Sequence, residues 1–232
     1  MTTTDFDARN SEGIEHAYVE LGGFRIGVTD SYFVTFTGYA SGVVNDGLIS
    51  YGPFTTHQIA YTFDAGNGFS VGAAVEEGSD TGFGTIIQDY APHVVVGAAY
   101  KTGMFGLSAV GAYDSVEDEF SAKGRLDVTP SDMFSFFVMG AWTDDDDSSG
   151  GNYYAQWGGD WALWVGAAVN VNERITLNGE FGYNDFGDYS ADADVNIVVV
   201  PGFVVTPGIG FKHFDAIDDE EWGGYLRTQF TF

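Results

Sequence analysis

Cysteine is absent from all 232 residues, which excludes a disulfide framework and any thiolate metal site. Basic residues are scarce: Lys and Arg total 8 against 34 Asp and Glu, for a formal net charge of −26 and a sequence pI near 4.1. So few cations cannot neutralise a nucleic-acid backbone, and the acidic balance opposes simple adsorption to an anionic bilayer. No apolar run reaches the ~20 residues of a membrane-spanning helix; the most apolar stretch, 195–205, is broken by Pro201-Gly202. Helical periodicity is also missing, and no apolar signal-peptide core stands before Asp5.

What the chain does have is alternation. Ile175, Leu177, Gly179, Phe181 and Tyr183 share one face of an extended segment, with Thr176, Asn178, Glu180, Gly182 and Asn184 on the other. Phe134, Phe136, Val138, Gly140 and Trp142 form a second apolar face. Phe120, Ala122, Gly124, Leu126 and Val128 form a third, opposite Ser121, Lys123, Arg125 and Asp127. A period of two means strands with one apolar and one polar face. About thirteen are predicted, roughly 14–22, 23–31, 55–64, 68–77, 92–101, 104–113, 119–129, 132–143, 160–170, 174–185, 188–200, 203–214 and 222–232. Most approach the ~9–11 residues of a tilted transmembrane strand, against ~5–6 in globular sheets. Short Gly-, Pro- and Asn-containing connections (22–23, 65–67, 102–103, 130–131, 171–173, 201–202) alternate with longer acidic ones (78–91, 114–118, 144–159, 215–221, and a brief one at 186–187). All the long loops therefore lie at one end of an up-and-down sheet.

One connection departs from this rule. Residues 32–54, YFVTFTGYASGVVNDGLISYGPF, carry a single charge, Asp46, where the other long loops are crowded with Asp and Glu. Loops of such length are uncommon and usually functional, and one so poor in charge is predicted to fold inward. The expected fold is all-β: a transmembrane antiparallel up-and-down β-barrel, a single domain over 1–232, with 32–54 as its constriction loop. The apolar face would meet lipid, with Tyr113, Trp142, Trp161, Tyr183, Tyr189 and Trp222 near strand ends as an interfacial belt. A soluble sandwich alternates as well, but lacks this strand length and loop asymmetry. In the last strand, 222–232, Trp222, Leu226, Phe230 and Phe232 share one face.

The segments AYVELGGFRIGVTDSYF (17–33), GYASGVVNDGLISYGPF (38–54), YAQWGGDWALWVGAA (154–168) and WGGYLRTQFTF (222–232) resemble the general porins of alphaproteobacteria, a likeness that runs over essentially the whole chain. The resemblance implies a sixteen-stranded barrel of the bacterial outer membrane, usually trimeric, whose third extracellular loop enters the pore and sets its size. Residues 32–54 match that loop. It also implies that Trp222, Leu226, Phe230 and Phe232 form the terminal signal by which such barrels are recognised for assembly. On this match the first strand here is the family's fourth. A signal peptide and about three strands of the pattern then fall outside the chain, and thirteen strands would leave two parallel at the seam.

A porin needs a charged constriction instead of a catalytic group. By parity Arg25, Lys123, Arg125, Lys212 and Arg227 project into the lumen, as do Glu20, Asp127, Glu180, Asp192 and Asp194. In the resembling family basic wall residues face an acidic inserted loop, which implies Asp46, with Asp30 at the loop's base, as the constriction acids. The alternative is that each Arg pairs with a neighbouring lumen carboxylate. Asp192, Asp194 and Asn196 would raise the local cation concentration, so the expected function is weakly cation-preferring passive diffusion of ions and small hydrophilic solutes. The expected partners are lipid, lipopolysaccharide and two further copies in a homotrimer. No cofactor or metal is expected. The acidic run 144–147 lacks the turn glycine and bidentate Glu of an EF-hand and reads as a solvated loop, with divalent cations bridging to lipopolysaccharide as the alternative.

Two other function classes stand beside this one. For a barrel hydrolase, Gly68–Gly72 matches G-x-S-x-G but lies along a strand and not at an elbow. The four His residues lack H-E-x-x-H spacing, leaving His213 with Asp215 as the local pair. The other class is a non-conducting structural barrel.

Overall fold

The structure, a computed structural model, describes residues 2–6, 14–40, 42–79, 86–87, 90–144 and 151–231. Its strands are β1 (Thr2–Phe6), β2 (Ile14–Leu21), β3 (Phe24–Thr29), β4 (Thr56–Asp64), β5 (Phe69–Glu76), β6 (His93–Lys101), β7 (Phe105–Asp114), β8 (Glu119–Ser131), β9 (Phe134–Thr143), β10 (Trp161–Asn172), β11 (Ile175–Asn184), β12 (Tyr189–Val200), β13 (Phe203–Phe214) and β14 (Asp219–Phe230). They make one sheet in strict chain order, each pairing antiparallel to the next. All thirteen predicted strands are present. β1 precedes them, a five-residue segment too short to show a period. With fourteen strands among the described residues, β1 and β14 run in opposite directions, so this count does not imply the parallel pair that thirteen strands would leave. Among the described residues β14 is paired with β13 alone.

Two tight turns sit slightly later than predicted. Pro130-Ser131 belongs to β8, and the chain reverses at Asp132-Met133; likewise it turns at Glu173-Arg174, after β10 has passed Val171. Pro130 is tolerated in the strand because the β8–β9 register slips between Val128 and Ser131, where no ladder bond is required of its nitrogen.

The outer face is apolar and banded. Near the long-loop end Trp142 lies opposite Trp161, Tyr183 opposite Tyr189 and Phe211 opposite Trp222. Near the short-turn end Phe24 lies opposite Tyr61, Phe69 opposite Tyr100 and Phe203 opposite Phe230. Eight steps along β9 separate Phe134 from Trp142, about 27 Å at ~3.4 Å per residue, the scale of the ~25 Å apolar band of a transmembrane barrel. The buried residues lie on the concave side: inner-face strand residues such as Ala60, Val95, Val110, Met139 and Trp164 pack against two inserted loops.

Candidate functional site: an inserted loop and its anchors

Between β3 and β4 the chain crosses the interior of the sheet. Its first turn is a short helix, α1 (Tyr32–Thr35), which the absence of any helical period had not suggested; four residues are too few to display one. Ser31 accounts for it. Its Oγ accepts from the amide of Phe33 at 3.1 Å and donates to Glu76 Oε2 at 2.8 Å. Glu76, on β5, also accepts from the amide of Tyr32 at 2.6 Å and the hydroxyl of Tyr154 at 3.1 Å. The wall leaves room for the loop by omitting side chains: a Cβ at Gly72 would collide with the Tyr32 hydroxyl, and one at Gly97 with the Phe36 ring.

The wall then grips the loop along its length. Arg25 on β3 donates from Nε to Glu20 Oε1 at 2.7 Å and from Nη1 to Thr35 Oγ1 at 3.1 Å. Arg125 on β8 pairs with Asp127 at 2.8 Å and donates from Nη1 to the carbonyls of Tyr39 and Ala40. Lys123, two residues earlier, donates to the carbonyl of Tyr51 at 2.7 Å. Trp164 Nε1 on β10 donates to the carbonyl of Ile49 at 3.0 Å. On β12, Asp194 accepts from the amide of Val44 at 2.9 Å and from Asn178 Nδ2 at 2.7 Å. The loop is thus held from β3 across to β12 by side chains that meet its backbone or hydroxyls. Apart from the neutral Trp164 bond, these anchors have a charged partner, and such hydrogen bonds are roughly twice as strong as neutral ones.

The predicted charged site residues all lie on the inner face or in the loop, but they do different things. Arg25 and Arg125 meet the neighbouring carboxylates Glu20 and Asp127 and also anchor the loop. Lys123 is buried beneath the loop, its ammonium 4.5 Å from the Phe33 ring centroid. Lys212 stands in register with Glu221 and over the Phe214 ring; Arg227 lies opposite Thr206 on exposed β14. Glu180 and Asp192 are buried on β11 and β12, Asp192 accepting from the Tyr225 hydroxyl at 2.5 Å. Asp30 is turned into the loop's base, accepting from the Tyr39 hydroxyl at 2.6 Å and, more distantly, the Thr55 amide at 3.4 Å. Asp46 accepts from the Tyr51 hydroxyl at 2.9 Å. Burial, reinforced by these carboxylates, pushes both phenols well above their ordinary value, so each stays a donor. Trp222, Leu226 and Phe230 point outward from β14; Phe232 lies outside the described residues.

A second loop corrects the expectation that 144–159 is wholly external. Residues 152–157 turn inward: Asn152, Tyr153, Tyr154 and Trp157 are at most 2% exposed. The amide of Tyr153 donates to Asp114 Oδ2 at 2.7 Å, and Asn184 Nδ2 to the carbonyl of Trp157 at 2.7 Å. The Phe33 ring packs 5.2 Å from Tyr154 and 6.4 Å from Trp157, so this loop buttresses α1. The signal was available, because residues 151–159 are as free of charge as the first loop. Of the acidic run, Asp144 accepts from the amide of Phe120 at 2.5 Å, whereas 145–147 lie outside the described residues. Among the described residues no group of three or more His, Asp or Glu could hold a metal ion.

The hydrolase constellations do not assemble. Ser70 is one inner-face residue along β5, and His213 faces outward from β13, stacked on Tyr189 at 4.8 Å.

Open space remains around the loop. A cavity of about 440 Å³ at the short-turn end is lined by Arg25, Tyr32, Thr35, Thr62, Ser70 and Lys101. Another, of about 400 Å³, separates Asn45 and Leu48 at the loop tip from Lys212, Glu221 and Tyr225. Lys101 and Tyr225, which reasoning from the sequence left out, belong to these linings.

An up-and-down antiparallel β-sheet with an aromatic-banded apolar exterior, a polar interior and a loop pinned across that interior has the architecture of a porin-type β-barrel wall. The chain belongs to the porin subfamily, whose family model matches residues 1–231. It is 40% identical over 226 residues to porin Omp2a of Brucella melitensis, covering 94% of this chain and 61% of that protein. It is also 40% identical over 231 residues to porin Omp2b of Brucella neotomae, covering 94% and 63%. The chain therefore spans less than two thirds of the length of the curated relatives it matches. Among solved structures, the outer membrane channel DcaP of Acinetobacter baumannii superposes with a TM-score of 0.71 at 18% identity, over 99% of this chain and 79% of that one. A mutant of the Rh. blastica porin gives 0.65 at 13% identity, over 98% and 81%. These likenesses bear on the fold alone. The family and the curated relatives that match are porins.

Proposed function

We propose that the chain forms the wall and constriction of a water-filled pore for passive diffusion of ions and small hydrophilic solutes. The observation that carries this reading is the pinned loop: Thr35, Tyr39, Val44, Ile49 and Tyr51 are each held by a wall side chain, so the loop narrows the interior at a set place. A weak preference for cations follows from how the inner charges are used. Arg25 and Arg125 are matched by Glu20 and Asp127, and Lys123 is covered by the loop, whereas Asp192 and Asp194 cluster on β12 with Glu180 beside them.

The homotrimer is supported by a gap in the outer belt. From β7 to β14 the long-loop rim carries aromatic rings, but on β2 to β5 the described strand residues at that level are Ala17, Val28, His57 and Val75, and His57 Nδ1 lies 2.5 Å from Glu77 Oε2. A polar imidazole–carboxylate contact where an interfacial ring would sit suits a face covered by protein and not by lipid.

Single-channel recording of the folded chain in a planar bilayer tests the reading. Stable ohmic steps with a reversal potential on the cation side of a KCl gradient are expected. Folded, inserted protein that conducts nothing would overturn the channel, and a monomer in mild detergent would overturn the trimer.

A further inference from the structure

The inserted loop hides most of its large side chains. Tyr32, Phe33, Val34, Ile49 and Tyr51 are each at most 3% exposed, yet Tyr39 is 45% and Phe54 40% exposed. Leaving two rings in water forgoes the stabilisation that burial gives their neighbours, and both are held in place. The Tyr39 hydroxyl donates to Asp30, and its carbonyl accepts from Arg125. Phe54 is followed by Thr55 at φ 52°, a left-handed conformation that a β-branched residue rarely adopts and that marks strain retained beside it. The two rings lie within 9° of parallel, centroids 6.4 Å apart, and Tyr51 closes edge-on against them at 6.5 and 5.5 Å.

This aromatic surface adjoins polar groups of both signs. Tyr39 also lines a cavity of about 470 Å³ with Thr37, Lys101, Arg125, Asp127 and Thr129. The Arg125–Asp127 pair presents an anion that is 40% exposed beside its cation, and Lys101 is exposed at the short-turn side. A simple ion would use the charges and ignore the rings; an apolar solute would do the reverse. A pyranose uses both, because one face of the ring is a patch of C–H groups and its edge carries hydroxyls that donate and accept. Binding sites of this composition, apolar faces with a few placed polar groups, are the ordinary form of small-molecule sites.

We propose that Tyr39 and Phe54 form a stacking site for neutral pyranosides at the constriction, with hydroxyl partners supplied by Arg125, Asp127 and Lys101. The proposal rests on the channel reading and names a solute class within it: short oligosaccharides are retained briefly in transit, where other small solutes pass by size alone.

The test uses the unmodified chain in a planar bilayer with maltotriose as probe, and sodium benzoate as a flat aromatic comparison. Maltotriose is expected to interrupt the current in a saturable manner. Phe54→Ala is expected to weaken the apparent binding about tenfold, the upper range of a stacking contact. Phe134→Leu, on the outer face, should leave the interruptions as they are. A conducting channel that maltotriose does not interrupt, or that benzoate interrupts and maltotriose does not, overturns the proposal while leaving the channel intact. If the folded chain conducts nothing, the channel reading has failed. The site is then read by saturation-transfer NMR in a detergent without a sugar headgroup: transfer to the sugar C–H protons, lost in Phe54→Ala, upholds it, and no transfer overturns it.

Discussion

Lys123 reaches from β8 to the carbonyl of Tyr51 at 2.7 Å, with its side chain almost wholly covered by the loop it holds. The Phe33 and Tyr51 rings lie 4.5 and 5.6 Å from its ammonium. A wall cation that the family resemblance would assign to the pore's electric field is here, first, a fastening. Two of the five basic residues picked out by parity, Arg25 and Arg125, fasten the same loop elsewhere.

Replacing Lys123 by Met keeps the length and removes the donor. The loss of a charge-assisted hydrogen bond, partly offset by the removal of a buried charge, is expected to cost about 1–2 kcal/mol. Thermal unfolding in detergent reads the cost, and conductance should become noisier as residues 49–54 loosen. An unchanged or higher melting temperature would count against the fastening.

At the far wall, Asp194→Ala removes the acceptor of both Val44 and Asn178. The loop tip is expected to gain mobility, seen as added current fluctuation and faster chymotrypsin cleavage near Leu48. Trp164→Phe deletes a single neutral bond to Ile49 and is expected to cost about 1 kcal/mol. Since both act on one loop, the double variant should depart from additivity; strict additivity would mean that the two anchors hold independent segments.

Gly97→Val places a branched side chain where the Phe36 ring lies. Overpacking of this kind is expected to cost on the order of 1–3 kcal/mol and to displace α1. Gly111→Ala, on the outer face with no atom closer than 3.9 Å, should be tolerated. Equal tolerance at both positions would mean that α1 is not packed on β6.

Selectivity should follow the β12 carboxylates. Asp192→Asn is expected to move the reversal potential towards the anion side, and Lys212→Gln to move it the other way. Both are read under a KCl gradient. No shift with Asp192→Asn would remove the acidic side of β12 from the permeation path.

The two loop phenols, Tyr51 buried and Tyr39 half-exposed, set an alkaline limit. Tyr39 and Tyr51 have values raised above the ordinary 10.0, by burial first and then by Asp30 and Asp46. For a group raised on folding, the stabilisation is complete below the unfolded value and falls as pH climbs past it. The loop should therefore be indifferent to pH through the neutral range and weaken above about pH 10. Tyr39→Phe with Tyr51→Phe should flatten that alkaline loss of melting temperature; an unchanged loss would assign it to other groups.

Strand identity and inner or outer orientation were legible because alternation is local. The parity of Ile175 to Asn184 alone assigns Glu180 to the interior, and the same rule holds from β8 to β12. The inward loop was legible by contrast, since a 23-residue segment with a single charge in a chain of net charge −26 stands out. The same contrast in residues 151–159 was masked by the neighbouring acidic run 144–147. β1 was invisible because five residues show no period.

Pattern along the chain thus settled the architecture, because a period of two needs only near neighbours and a hydrophobic side. Which wall residue meets which part of the loop was decided by folding. Lys123 and Tyr51 are 72 positions apart, and Val44 and Asp194 are 150 apart. The partner of a buried amine or carboxylate depends on where the chain crosses the interior. No local preference encodes that, so the anchors had to be read from the folded molecule.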